Sequence, residues 1–205
     1  MLLVGLTGNI AAGKSTVTSV FSRKGATIVD ADVLAREALA PGTPGFDAAV
    51  DRWGDAVRAP DGGLDRAALR RIVFANEAER EALNALVHPI VEEMRDRLVE
   101  EARERGDRVV VCDIPLLYEN NLSDRFHCVV LVDSPRPTRL QRLVRERDLS
   151  IGEATAMIDA QMPADAKRTR ADYVIENAGS HAQLEQRALD VWRSLVRDAE
   201  RKRTN

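Results

Sequence analysis

Short apolar runs alternate along this chain with longer amphipathic segments, and that alternation predicts its architecture. Residues 2–6, 27–29, 109–112, 128–132 and 173–175 are apolar stretches of strand length with little polar alternation, as expected for strands buried on both faces of a parallel sheet. Residues 15–24 read as a helix, with Val17, Val20 and Phe21 on one side and Gly25 as its stop. Strand, loop, helix and strand within about thirty residues make a βαβ unit, normally right-handed and parallel. Charged, helix-like segments separate the later strands, so the expected fold is α/β, a doubly wound five-stranded parallel sheet.

A long insertion, residues 40–108, lies between the second and third strands. It opens on the loop signal Pro41-Gly42-Thr43-Pro44-Gly45 and holds a second turn at Asp61-Gly62-Gly63. The rest reads as helical, with Asp65 and Asn76 as N-caps and Leu83, Leu86, Val87, Ile90, Val91, Met94 and Leu98 at helical spacing. Pro89 falls inside that pattern and predicts a break or kink near His88. Near the C-terminus Leu184, Ala188, Val191, Leu195 and Val196 form an amphipathic stripe that runs into a basic tail. The expected organisation is one domain over 1–205. Its core is 1–39, 109–137 and 171–205, its helical subdomain 40–108, and its lid 138–170.

Composition narrows this picture without altering it. With 44% hydrophobic and 31% charged residues the chain reads as a folded globular protein, and 4% aromatics require a mainly aliphatic core. A net charge of −3 argues against a nucleic-acid binder. No apolar stretch approaches the roughly twenty residues needed to span a bilayer. The N-terminus lacks a basic leader region and Cys112 and Cys128 sit in buried-looking strands, so a cytoplasmic protein with buried thiols is expected.

The candidate chemistry begins at Gly8-Asn9-Ile10-Ala11-Ala12-Gly13-Lys14-Ser15, a complete Gly-x4-Gly-Lys-Ser loop between a strand and a helix. Glycines let the backbone curl its N–H groups toward phosphate oxygens, and the helix adds its positive end. Lys14 would neutralise charge on the β- and γ-phosphates, and the Ser15 hydroxyl would ligate Mg²⁺. The ATP-binding positions are then Gly8, Ala11, Ala12, Gly13, Lys14, Ser15 and Thr16. A methyl at Ala11 or Ala12 is tolerated only where φ stays negative. An ordinary glycine turn with a solvated lysine is the bland alternative, and the full motif in its proper context argues against it.

Ligands of parallel sheets sit at the carboxyl ends of strands. Asp30 and Asp32 end the second strand, and Asp113 ends the third at the place of an acid that holds Mg²⁺ through water. Either of the first two could accept a hydroxyl proton, though Asp32 could instead be a helix N-cap and Asp30 a turn residue. Arg139, Arg142 and Arg145 recur every three residues with Arg147 beyond, giving one basic helix face fit to close over a triphosphate. Lys167, Arg168 and Arg170 are expected to extend that potential. Nothing in the chain resembles a zinc site.

These segments together resemble the dephospho-coenzyme A kinase family along almost the whole chain. The similarity is carried by Leu6-Thr7-Gly8-Asn9-Ile10, Asp30-Ala31-Asp32-Val33-Leu34-Ala35-Arg36, Leu64-Asp65-Arg66-Ala67-Ala68-Leu69-Arg70, His88-Pro89, Asp113-Ile114-Pro115-Leu116-Leu117-Tyr118-Glu119 and Ala171-Asp172-Tyr173-Val174-Ile175-Glu176-Asn177. The resemblance implies a P-loop kinase fold with a helical substrate-binding insertion and an arginine-bearing lid. It implies transfer of the ATP γ-phosphate to the ribose 3′-hydroxyl of dephospho-coenzyme A, the last step of coenzyme A biosynthesis, with magnesium. Asp32, Lys14 and Arg142 would be catalytic, with Asp32 as general base. Arg142 would be the lid arginine over ATP, Arg145 or Arg147 taking the second position. Asp32, His88, Asp113, Leu116 and Tyr118 would hold the acceptor. The chain departs from the family at Ala11 and Ala12, and at Met157-Ile158-Asp159-Ala160-Gln161, where an arginine often precedes the Ile-x-Ala-Gln stretch. A nucleoside monophosphate kinase shares the architecture but not the Asp-Ala-Asp and Asp-x-Pro-Leu-Leu-Tyr-Glu pair. A guanine-nucleotide switch would need an Asn-Lys-x-Asp stretch, and none is present.

Overall fold

The structure, a computed structural model, describes residues 1–204. Five strands form one sheet: β1 (Leu2–Gly8), β2 (Thr27–Asp30), β3 (Val109–Asp113), β4 (Cys128–Asp133) and β5 (Tyr173–Glu176), in the order β2-β3-β1-β4-β5. β1 pairs in parallel with β3, Leu6 opposite Asp113, and with β4, Gly8 opposite Val132; β4 pairs in parallel with β5. From β1 the chain crosses to one side of the sheet, and from β3 to the other, which is the doubly wound topology expected. The switch point therefore lies between the carboxyl ends of β1 and β3.

Apolar runs became strands because both of their faces are covered. Leu2, Val4 and Leu6 of β1, Val109 and Val111 of β3, and Val130 and Val132 of β4 share one core. That core is roofed by α1 (Lys14–Arg23), through Val17, Val20 and Phe21, and by α9 (His181–Thr204), through Leu184, Ala188, Leu195 and Ala199. On the opposite face a Cβ added at Gly5 would lie 2.6 Å from the Leu117 side chain, so the missing side chain lets Leu117 and Phe126 seat against the strand. Cys112 and Cys128 are both buried and are not bridged to each other.

The chain divides into two compact units, one of 1–29 with 101 onward, the other of Asp30–Glu100. The second is helical: α2 (Ala31–Ala38), α3 (Pro44–Trp53), α4 (Arg66–Ala75) and most of α5 (Glu77–Glu104). Thr43 caps α3 by accepting the Phe46 N–H at 3.1 Å, and Asp65 caps α4 by accepting that of Ala68 at 2.9 Å. Asn76 Oδ1 accepts the Ala78 N–H at 2.9 Å at the head of α5. The break expected near His88 does not occur, and α5 runs through Pro89 without interruption. One proline removes one backbone donor, and the Glu-, Ala-, Leu- and Arg-rich flanks carry the helix past it.

After β4 the first unit continues with α6 (Arg136–Arg147), α7 (Ile151–Asp159) and α8 (Ala164–Arg168). Leu143, Ala154 and Ile158 make their own small core, into which Ile10 and Ala11 of the glycine loop also pack. Among the described residues no helix is long and apolar enough to cross a membrane.

Candidate active site

The loop between β1 and α1 is positioned by contacts too close for side chains. A Cβ on Gly8 would lie 2.5 Å from the Val132 carbonyl oxygen. Gly13 has φ 98°, and a Cβ there would fall 2.4 Å from Asn177 Nδ2. Between them the Ala12 N–H donates to the Asn9 carbonyl at 3.0 Å, closing a turn. Ala11 takes φ 58°, which overturns the requirement that an alanine here keep a negative φ. A left-handed alanine costs about 1–2 kcal/mol and persists only where its surroundings over-determine it. Here Arg142 Nη1 donates to the Ala11 carbonyl at 2.9 Å, and Asn177 Nδ2 donates to the carbonyl of buried Ala12 at 2.8 Å.

No side chain caps α1. The N–H groups of Lys14, Ser15 and Thr16 in its first turn have no intrahelical acceptors, which together with the helix dipole makes an anion site. Lys14 Nζ lies 3.5 Å from Asp113 Oδ1, with both side chains largely buried, at the switch point of the sheet. Thr18 Oγ1 sits 3.1 Å from the Lys14 carbonyl and 3.2 Å from Asp113 Oδ2, steadying the same carboxylate. Ser15 is exposed. Its hydroxyl and the Asp113 carboxylate are hard oxygen donors, and no group of three or more His, Cys, Asp or Glu among the described residues forms a protein cage. That donor set fits Mg²⁺, which keeps several waters and takes phosphate oxygens as ligands.

The basic residues divide differently from the sequence expectation. Arg139 is buried and donates from Nε to the Ser134 carbonyl at 3.0 Å, so it is structural; burial lowers its pKa. Arg142 and Arg145 line one shallow groove with Thr138, Gln141 and Glu146. Arg147, five positions after Arg142, is turned about 140° from it around the helix. Arg145 thus lies beside Arg142, and Arg147 does not. Lys167 is fully buried and pairs with Glu119 at 2.8 Å. Arg168 bridges Asp133 at 2.7 Å and Glu176 at 2.6 Å, and these two hydrogen bonds raise its pKa. Arg170 lies over the Tyr118 ring, 4.5 Å from its centroid. Lys167 and Arg168 are thus paired with carboxylates, and exposed Arg170 is stacked on Tyr118.

Asp30 is the N-cap of α2: its Oδ1 accepts the N–H groups of Asp32 at 2.8 Å and Val33 at 3.1 Å. Asp32 lies in the first turn of that helix, exposed, and is not the cap. His88 is exposed on α5, and Leu116 is exposed. Tyr118 is buried, which leaves little of its ring open to a ligand, and burial pushes its hydroxyl up to about 12. Thr18, Glu119, Gln161 and Asn177 were given no role by sequence reasoning. Gln161 and Asn177 hold loop backbone; both stand in segments that resemble the family, Gln161 closing the Ile-x-Ala-Gln stretch and Asn177 the last-strand segment, but neither segment discloses that task.

A parallel sheet whose switch point carries a Gly-x4-Gly-Lys-Ser loop, an uncapped helix and a lysine–aspartate pair is that of a P-loop nucleotide-binding phosphotransferase. The dephospho-CoA kinase family model matches residues 2–183. A dephospho-CoA kinase of Streptomyces avermitilis is 46% identical over 199 residues, covering 97% of this chain and 96% of the relative. One of Thermobifida fusca is 43% identical over 197 residues, covering 96% and 98%. A crystal structure from Thermus thermophilus superposes with a TM-score of 0.79 at 37% identity, covering 94% of this chain and 96% of the other. The chain belongs to the dephospho-CoA kinase family.

Proposed function

We infer that this chain transfers the γ-phosphate of ATP to the ribose 3′-hydroxyl of dephospho-coenzyme A, giving coenzyme A and ADP. The Lys14–Asp113 pair, 3.5 Å apart beside the uncapped start of α1, supports the donor half of this reading, and the match to the dephospho-CoA kinase family over residues 2–183 carries the acceptor. Triphosphate oxygens take the N–H groups of the loop and first turn, and Lys14 neutralises charge as it passes to the leaving ADP oxygen. Ser15 would hold Mg²⁺, with Asp113 reaching it through water. The ion would supply charge neutralisation for the triphosphate there. Arg142, already seated on the Ala11 carbonyl, is the lid cation closest to the loop, and Arg145 is the second.

Asp32 is the general base: it takes the proton of the 3′-hydroxyl as that oxygen attacks phosphorus. Supporting this, Asp30 performs the capping, which leaves the Asp32 carboxylate available. The family resemblance is what assigns His88, Asp113, Leu116 and Tyr118 to acceptor binding. Residues 138–170 act as the lid and the Asp30–Glu100 unit as the acceptor subdomain. The two buried thiols suit a reducing, cytosolic compartment.

An ADP-release assay across acceptors tests the reading. Magnesium-dependent turnover with dephospho-coenzyme A is expected, with severe loss in Lys14→Ala. Turnover with a nucleoside monophosphate and none with dephospho-coenzyme A would overturn it.

A further inference from the structure

The loop residues ahead of Gly13 are gripped by residues 161–162, a part of the 138–170 region to which no individual role has been given. The Ile10 N–H donates to Gln161 Oε1 at 2.7 Å, and Asn9 Nδ2 donates to the Met162 carbonyl at 3.0 Å. Residues 161–162 lie just beyond α7, and they are held in turn from behind. The Met162 N–H donates to Glu119 Oε1 at 3.1 Å, and that carboxylate pairs with Lys167, which has no exposed side-chain surface. The Ile10 and Ala11 side chains meanwhile pack against Leu143, Ala154 and Ile158 of α6 and α7. Arg136, at the head of α6, binds both oxygens of Asp159 at the end of α7 and fixes the two helices to each other.

We propose that Gln161 is a positioning residue of the phosphate loop. By taking the Ile10 N–H it holds the Asn9–Ala11 stretch in the strained form that presents the following N–H groups to the triphosphate. The strain at Ala11 supports this reading. A left-handed alanine relaxes unless its neighbours forbid it, and the hydrogen bonds flanking it here come from Gln161 on one side and Arg142 on the other. A glycine at that position would need no such restraint. The contact also has a defined polarity. The donor is a backbone amide, so the side chain must supply an acceptor at that length, and an apolar residue of similar size cannot.

The inference rests on the loop being the nucleotide site, and its test separates the two ideas. In Gln161→Leu the amide of Ile10 should exchange with solvent at least about tenfold faster, while core amides such as Val130 stay unchanged. ATP should bind about tenfold more weakly, by direct titration and as KM, with KM for the acceptor within about twofold. In an Ala11→Gly background the same substitution should cost less ATP affinity, because no strained residue remains to be restrained. Should Gln161→Leu prove too unstable, Gln161→Met makes the same test with a more adaptable side chain. Unchanged Ile10 exchange with unchanged ATP affinity would overturn the proposal. So would equal losses in the two backgrounds, or losses shared equally by both substrates. Absence of acceptor turnover in the parent chain would instead count against the function reading, since amide exchange and ATP titration do not depend on the acceptor.

Discussion

Arg142 reaches across from α6 to donate to the carbonyl of Ala11, the one loop residue other than glycine with a positive φ. Arg142 and the strained loop residue are therefore joined directly. The strain sets the first expectation. Ala11→Gly should change stability by no more than about 1 kcal/mol, since relief of the left-handed alanine is offset by the greater chain entropy of glycine. Ala11→Val, a β-branched residue forced to φ near 58°, should destabilise by more than about 2 kcal/mol. Urea unfolding of the two variants measures both, and equal stabilities would show that the left-handed backbone is not maintained in solution.

Removing the arginine acts on the reaction rather than on the loop alone. Arg142→Ala should lower kcat/KM by roughly 10²–10³-fold, the scale of a preorganised cation that stabilises charge in the transition state. Arg142→Lys should recover little of it, because a single ammonium cannot hold the Ala11 carbonyl and present further N–H donors to a phosphate. Steady-state kinetics at saturating acceptor check this. A lysine variant with near-parent turnover would show that only charge matters at this position.

Elements whose identity depends on local pattern were legible in the sequence. The uninterrupted apolar runs could only be strands covered on both faces, the glycine loop announced itself by spacing, and Asp65 stood where an N-cap must. What escaped depended on distant partners. A three-residue spacing groups Arg139 with Arg142, yet the Ser134 carbonyl draws Arg139 into the interior and leaves Arg142 to the loop. Lys167 reads as a surface cation and is buried because Glu119 arrives from the exit of β3. Ala11 carries no sign of its positive φ, since the contacts that enforce it come from residues more than a hundred positions away. The proposed acceptor residues rest on family resemblance alone, because an exposed aspartate or histidine has no pattern of its own.

The neighbouring carboxylates Asp30 and Asp32 should separate cleanly on mutation. Asp30→Ala removes two hydrogen bonds to the start of α2 and should cost about 1 kcal/mol of stability, with activity falling only as the helix frays. Asp32→Asn should leave the melting temperature unchanged and ATP affinity intact while lowering kcat at least about 10²-fold. Thermal melts beside single-turnover rates distinguish the two. An Asp32→Asn enzyme of unchanged rate would remove Asp32 from the proton path.

A titrating group outside the site should govern part of the acid stability. His127 Nδ1 accepts the Leu3 N–H at 2.8 Å, which ties the start of β1 to the residue before β4 and requires the nitrogen to be unprotonated. Burial, then the nearby Lys202 charge, holds the imidazole below its usual value of 6.5, although part of the ring stays exposed. The unfolded chain therefore binds a proton at a higher pH than the folded one, and this contribution to stability is complete above pH of about 6.5 and is lost as pH falls through the lower folded value. His127→Gln keeps an acceptor for the Leu3 N–H but cannot titrate. Its melting temperature should accordingly fall less than that of the parent between about pH 7.5 and 5. Parallel melting curves across that range would show that the Leu3 contact is not maintained or that it does not discriminate between the two protonation states.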